Sequence, residues 1–166
     1  MTKLSRRTLM KGVGVAATLS MIGSAARAED KIKVGFIFLG PIGDYGWTWA
    51  HNKGREAIDA ELGDKVETLY VENVAEDASA IPLIRDLANQ GCKLIFTCSY
   101  GYMEQTLTVA KEFPDVKFEH CTGFKRADNV STYNSKFHEG RAVLGTIAGK
   151  MSKSGALGYL GSYKVP

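Results

Sequence analysis

From residue 33 onward, short apolar runs alternate with segments whose apolar residues recur every three or four positions. Residues 33–39 (Lys-Val-Gly-Phe-Ile-Phe-Leu) are rich in β-branched and aromatic side chains and are closed by Gly40-Pro41. They read as a central parallel strand buried on both faces. Trp47, Ala50, Gly54, Ala57, Ile58 and Leu62 then mark one face of a helix that Gly63 stops. Residues 66–71 form a second strand. Ser79 is placed to cap a second helix with Pro82 in its first turn; Ile81, Ile84, Leu87 and Ala88 line its face and Gly91 ends it. Residues 93–98 form a third strand. Met103, Leu107, Ala110 and Phe113 mark a third helix, stopped by Pro114. Residues 116–120 and 130–134 are two further short strands. A helix over 137–151 is expected to bury Leu144, Ile147, Ala148 and Met151, and residues 157–160 to form a last strand.

Strand and helix signals alternating across short connections predict an α/β fold. The expected form is a three-layer Rossmann-like lobe, with a mostly parallel sheet, helices on both faces and right-handed crossovers.

The N-terminus has a different character. Residues 1–28 carry Lys3, Arg6, Arg7, Lys11 and Arg27, an uncharged stretch over 12–26, and a small-x-small site at Ala26-Arg27-Ala28. Ser5-Arg6-Arg7-Thr8-Leu9-Met10-Lys11 adds the paired arginines of a twin-arginine (Tat) signal; an ordinary Sec signal is the alternative. The apolar stretch is shorter than the roughly 20 residues a membrane span needs. The mature chain is expected to begin near Glu29, in the periplasm. The first cysteine is Cys92, far from the cleavage site, so a lipoprotein anchor is not expected.

This segment also accounts for the charge. The chain's net charge is +3, but five of its 21 basic residues and none of its 18 acidic residues lie in 1–28. The remainder is mildly acidic, which excludes a bulk electrostatic case for nucleic acid or anionic membrane. Cys92, Cys98 and Cys121 are odd in number and match no metal spacing; they read as buried free thiols, with a periplasmic disulfide as the alternative.

In open parallel sheets, ligands bind beyond the carboxyl ends of the strands. Residues 40–48, 99–103, 122–129 and 135–139 leave those ends. The first loop, Gly40-Pro41-Ile42-Gly43-Asp44-Tyr45-Gly46-Trp47-Thr48, lacks both G-x-G-x-x-G and Gly-Lys-Ser/Thr. Asp44 stands where a phosphate would lie, so the loop is not a phosphate cradle. Its acceptor (Asp44) and flat aromatics (Tyr45, Trp47, Trp49) suit a neutral planar ligand with N–H or O–H donors, such as a nucleobase or nucleoside. The alternatives are a helix cap for Asp44 and a core residue for Trp47. Ser99-Tyr100-Gly101-Tyr102-Met103 offers hydroxyls and free N–H groups at a helix start, or a simple capping turn. Glu139 and Arg141 are ligand contacts or, alternatively, a structural ion pair. His51, His120 and His138 have no sequence-level catalytic partner, and there is no G-x-S-x-G elbow. No cofactor, metal or catalytic set is expected.

At these segments the sequence resembles the basic membrane protein (BMP) family, the PnrA-like substrate-binding proteins of ABC transporters. The resemblance runs from Lys31 onward. It is carried by Val34 through Thr48, Tyr70-Val-Glu-Asn-Val74, Ser99-Tyr-Gly-Tyr-Met103, Phe118-Glu-His120 with Thr122-Gly123, and Glu139-Gly-Arg141 through Ser152. Gly43-Asp44-Tyr45-Gly46-Trp47 stands where nucleoside-binding members usually carry a longer acidic loop. The resemblance implies a lobe of the type I periplasmic-binding-protein kind. Residues 29–161 would be the N-terminal lobe and 162–166 the start of the hinge crossover, with the second lobe absent from this sequence. It implies the substrate-binding component of an ABC importer, a monomer taking a purine nucleoside or base to an inner-membrane permease. Asp44 would bond the base, Trp47 would stack on it, and Tyr45, Tyr100, Tyr102 and Asn134 would complete the ligand set. An inactive fragment and a small exported flavodoxin-like enzyme are the competing readings.

Overall fold

The computed structural model describes residues 31–161; the expected signal segment 1–28 and the expected crossover at 162–166 lie outside them. Five strands form one sheet: β1 (Ile32–Ile37), β2 (Val66–Val71), β3 (Leu94–Thr97), β4 (Lys117–Cys121) and β5 (Val130–Tyr133). All are parallel, in the order β2-β1-β3-β4-β5. Four α-helices alternate with them: α1 (Trp47–Leu62), α2 (Ala80–Asn89), α3 (Met103–Glu112) and α4 (Phe137–Met151), with a 3-10 turn at Tyr100–Tyr102.

One sheet face packs against α2 and α3. Ile37, Ile95, Phe118 and Val130 from the strands meet Ile84, Leu87, Val109 and Ala110 from those helices in the larger core. Gly35 in β1 is needed here, because a Cβ would lie 3.0 Å from Leu87 Cδ1. The opposite face carries the smaller core of Val34, Phe36, Phe38 and Cys98, with Ile58 of α1 packed against it. Helices therefore cover both faces, giving the three layers expected from the alternation.

No helix joins β4 to β5. Residues 122–129 make the crossover as an irregular strand-length link, tied to α3 at both ends. Lys125 pairs with Glu104 near the start of α3. At the other end the Asn129 side-chain amide donates toward the carbonyls of Ala110, Phe113 and Val116 at 2.9–3.0 Å. These include carbonyls at the helix end that have no intrahelical partner.

Four local expectations are corrected. Ser79 makes no side-chain cap to α2; Asp77 Oδ1 instead accepts the Ser79 N–H at 2.8 Å. The stripe Trp47, Ala50, Gly54, Ala57 and Leu62 is not the buried face of α1. Thr48 and Asn52 are its buried residues. Next to them the Arg55 guanidinium bonds Asn52, Asp59 and Thr68 and lies 4.7 Å from the centre of the Tyr70 ring. This polar ladder satisfies its own donors and acceptors, so it can face the sheet where an apolar stripe was expected. The third correction is α4, which forms over the expected residues but buries none of them. Val143, Leu144, Ile147 and Met151 are all exposed because no other element covers them among the described residues. Lastly, residues 157–160 form no strand.

Candidate functional site

The sheet order reverses direction between β1 and β3. From β1 the chain goes outward to β2 and then returns to the other side through β3. At such a switch point the connections after neighbouring strands run to opposite faces, and the carboxyl edge there is where parallel sheets bind ligands. Both loops singled out by sequence flank this switch point.

The first loop is rigid. Asp44 Oδ1 accepts the N–H groups of Gly46 (2.7 Å) and Trp49 (3.0 Å), and Oδ2 accepts that of Thr48 (3.3 Å). The hydrogen bond from Gly46 is the main cause holding the Asp44 carboxyl below its usual range, so it is ionised at neutral pH. Asp44 is thus a cap on the first turn of α1. A carboxylate has about four lone-pair sites, so one direction stays free for a ligand donor. Tyr45 next to it has φ +52° and is largely exposed, with its ring 6.0 Å from that of Trp49. Trp47 reaches across the switch point, and its Nε1–H donates to the Cys98 carbonyl at 2.6 Å. Its ring contacts His51 and Phe137, and 36 % of its surface stays open.

The loops brace one another. Glu72 Oε2 accepts the Ile42 N–H at 2.8 Å, tying the β2 end to the first loop. Glu76 Oε1 accepts the Gly101 N–H at 2.8 Å, and a Cβ on Gly101 would lie 2.5 Å from Glu76 Cβ. The Tyr102 hydroxyl donates to the Val74 carbonyl at 2.6 Å. His120, at the end of β4, bonds the Ser99 carbonyl through Nε2 at 2.8 Å. Among the described residues, three non-glycine positions adopt positive φ: Tyr45, Asn73 (+58°) and Thr122 (+63°). Each follows the carboxyl end of a strand. Backbone strain of this kind persists where surrounding contacts over-determine it, and it clusters at functional sites.

The six candidates therefore separate. Asp44, Tyr45 and Trp47 lie together on the first loop, and Tyr100, half-buried, lies across the switch point from them. Asn134 is exposed past the end of β5, where its Oδ1 accepts the Ser135 N–H. Tyr102 is fully buried and its hydroxyl is committed to Val74, so it supports the wall from behind. Glu72, Glu76 and His120 were not singled out as site residues. Their roles depend on partners 21–30 residues away, a distance at which spacing carries no signal.

Cys92, Cys98 and Cys121 are buried and free, as expected. Burial pushes the Cys98 thiol up to about 12. The Tyr133 hydroxyl points at its sulfur at 3.8 Å. Among the described residues, no group of three or more His, Cys, Asp or Glu side chains converges to hold a metal ion.

Residues 31–166 match the family described as ABC transporter substrate-binding protein, PnrA-like (Bmp). A purine-binding protein of Brucella abortus is 58% identical over 154 residues, which cover 92% of this chain and 44% of that protein. A putative ABC transporter glucose-binding protein of Haloferax volcanii is 30% identical, over 87% of this chain and 36% of its own length. A solved ABC transporter solute-binding protein of Conexibacter woesei superposes with a TM-score of 0.62 at 27% identity, covering 71% of this chain and 40% of that one. The chain thus spans less than half the length of these relatives.

Proposed function

Because this chain belongs to the Bmp family of PnrA-like ABC transporter substrate-binding proteins, we propose that its carboxyl-edge crevice forms one wall of a binding site for a purine base or nucleoside. The observation that carries this reading is Trp47. It sits at the switch point, fixed by its bond to Cys98, with about a third of the residue exposed. Asp44 stands on the same loop as an ionised acceptor for a ligand N–H. Tyr45, Tyr100 and Asn134 provide the flanking polar and aromatic surface. A fixed aromatic beside a fixed acceptor suits a planar neutral ring with N–H donors, and it repels a phosphate. The purine-binding relative supports the same ligand class. In this reading the protein reaches the periplasm through its twin-arginine segment, acts as a monomer and passes its ligand to an ABC permease.

Titration calorimetry of the mature protein against adenosine, guanosine, adenine and guanine, with glucose as comparator, tests the proposal. Binding of at least one purine is expected. Trp47→Leu should weaken it by about 1–3 kcal/mol, the worth of one aromatic stacked on a base. Binding of glucose with no purine bound would overturn the proposal.

A further inference from the structure

His120 is almost completely buried at the end of β4, yet only one of its ring nitrogens has a partner. Nε2 faces the Ser99 carbonyl at 2.8 Å, and a carbonyl only accepts, so Nε2 carries the proton. In the neutral ring Nδ1 is then a bare acceptor, with no hydrogen-bond donor in reach. What covers it is Gly123. A Cβ placed on Gly123 would fall onto the ring, against Nδ1 and Cε1, so the glycine Cα–H lies directly over the nitrogen. A Cα–H of this kind is a weak donor. Thr122, immediately before it, is a β-branched residue held at φ +63°, which folds the turn back over the ring.

Each alternative protonation state loses a contact. The Nδ1–H tautomer sets a lone pair on Nε2 against the Ser99 carbonyl oxygen. The imidazolium adds an N–H at Nδ1 that meets only Gly123. Burial lowers the His120 pKa, and the backbone hydrogen bonds of Ser99 and Tyr100, then the charge of Glu76 on the loop after β2, act in the opposite direction.

We propose that His120 is a positioning residue for the ligand wall. In its Nε2–H tautomer it joins the turn after β3 to the turn after β4, with Gly123 as the residue the second turn requires. The inference rests on the reading that ligand lies at this edge. Through Ser99 the ring sets the position of the neighbouring, half-buried Tyr100, and through Gly123 it holds the loop that continues to Phe124 and Lys125. His120 touches no ligand in this arrangement; it fixes the backbone of residues that do.

The test is a set of variants in the full chain: Gly123→Ala, His120→Leu, His120→Gln and the double variant His120→Gln/Gly123→Ala. Affinity for the four purines and backbone amide NMR shifts are read for each. Nitrogen shifts of the wild-type His120 ring report the tautomer directly. The wild type should show a protonated Nε2 and an unprotonated Nδ1. Gly123→Ala should move the amides of residues 99–101, although it lies on another loop, and weaken binding by about tenfold. His120→Leu should do the same. His120→Gln, whose side-chain N–H can reach Ser99, should bind within about threefold of wild type. In its background Gly123→Ala should cost little, since the added methyl then meets a flexible chain. A proton on Nδ1 would overturn the proposal, and so would Gly123→Ala with unmoved amides at 99–101. Were the wild type to bind no purine, the ligand reading would fail by itself; the tautomer and the amide shifts would still decide the joint.

Discussion

Tyr102→Phe separates a support role from a ligand contact. The substitution removes one oxygen and leaves the ring volume in place, so no cavity opens. The lost group is a hydroxyl donating to the Val74 carbonyl at 2.6 Å, with both residues at 2 % exposure or less. Water cannot replace the donor without opening the core. A buried carbonyl left without its partner costs about 1–3 kcal/mol. Both partners here are fully buried, so the middle of that range applies, at about 2 kcal/mol. With a urea m-value of about 1.5 kcal/mol/M for a chain of this size, the midpoint should fall by about 1.3 M. The thermal midpoint should fall by roughly 6–10 °C. Ligand affinity at 25 °C, measured where both proteins are folded, should change by less than about twofold. The phenol pKa, pushed up by burial, keeps the hydroxyl protonated throughout the working range. An unchanged urea midpoint together with a tenfold loss of affinity would show that Tyr102 faces the ligand, and the placement argued from its burial would be wrong.

Three other outcomes follow from the same geometry. Asn129→Ala should destabilise by about 2 kcal/mol in urea unfolding, and the near-isosteric Asn129→Asp should be worse at pH 7, since a carboxylate would then face three carbonyl oxygens. The His120 pKa is lowered in the folded state, so its share of stability is fully present above the unfolded value of about 6.5 and is lost as pH falls through the lower folded value. Urea midpoints from pH 7.5 to 4.5 should therefore fall less steeply in His120→Gln; identical slopes would contradict this. With its thiol at about 12 against an ordinary value near 9.0, Cys98 should carry roughly 1,000-fold less thiolate at pH 8. Alkylation should be slow in the folded chain, and all three thiols should react after unfolding in denaturant without reductant.

The layered parallel sheet was legible because its signals are local. An apolar run such as 33–39 can only be satisfied between two layers, and Gly91 at φ +90° and Pro114 end helices by their own backbone chemistry. Five of the six expected strands form within a residue or two of their expected bounds, and the one expected at 157–160 does not form. The site was legible in part. The first loop announces itself through glycines and aromatics, but Asp44 spends three acceptor directions on its own helix, a competition that sequence raises without resolving. The faces of α1 and α4 were misread for opposite reasons. The inner face of α1 is polar because Asn52, Arg55, Asp59 and Thr68 satisfy one another. The apolar face of α4 is real, yet periodicity reports only that a helix has such a face. Whether anything covers it depends on elements remote in sequence.

The sequence by itself therefore determined the order of the five strands and four helices, the layer architecture, the mild acidity beyond a basic N-terminal segment and the two loops that flank the switch point. These follow from periodicity, backbone-specific residues and charge, all readable within a few positions. Only the tertiary structure decided which of the candidate side chains are buried. Tyr100 and Tyr102 are two residues apart on one short turn, yet one is half-buried and the other lies in the core against Val74. Glu76 and Val74, from the loop after β2, and His120, from β4, reach the same turn because the sheet order brings them there. Hydrogen-bond partners of that kind are fixed by strand order and register, and no spacing along the chain encodes them.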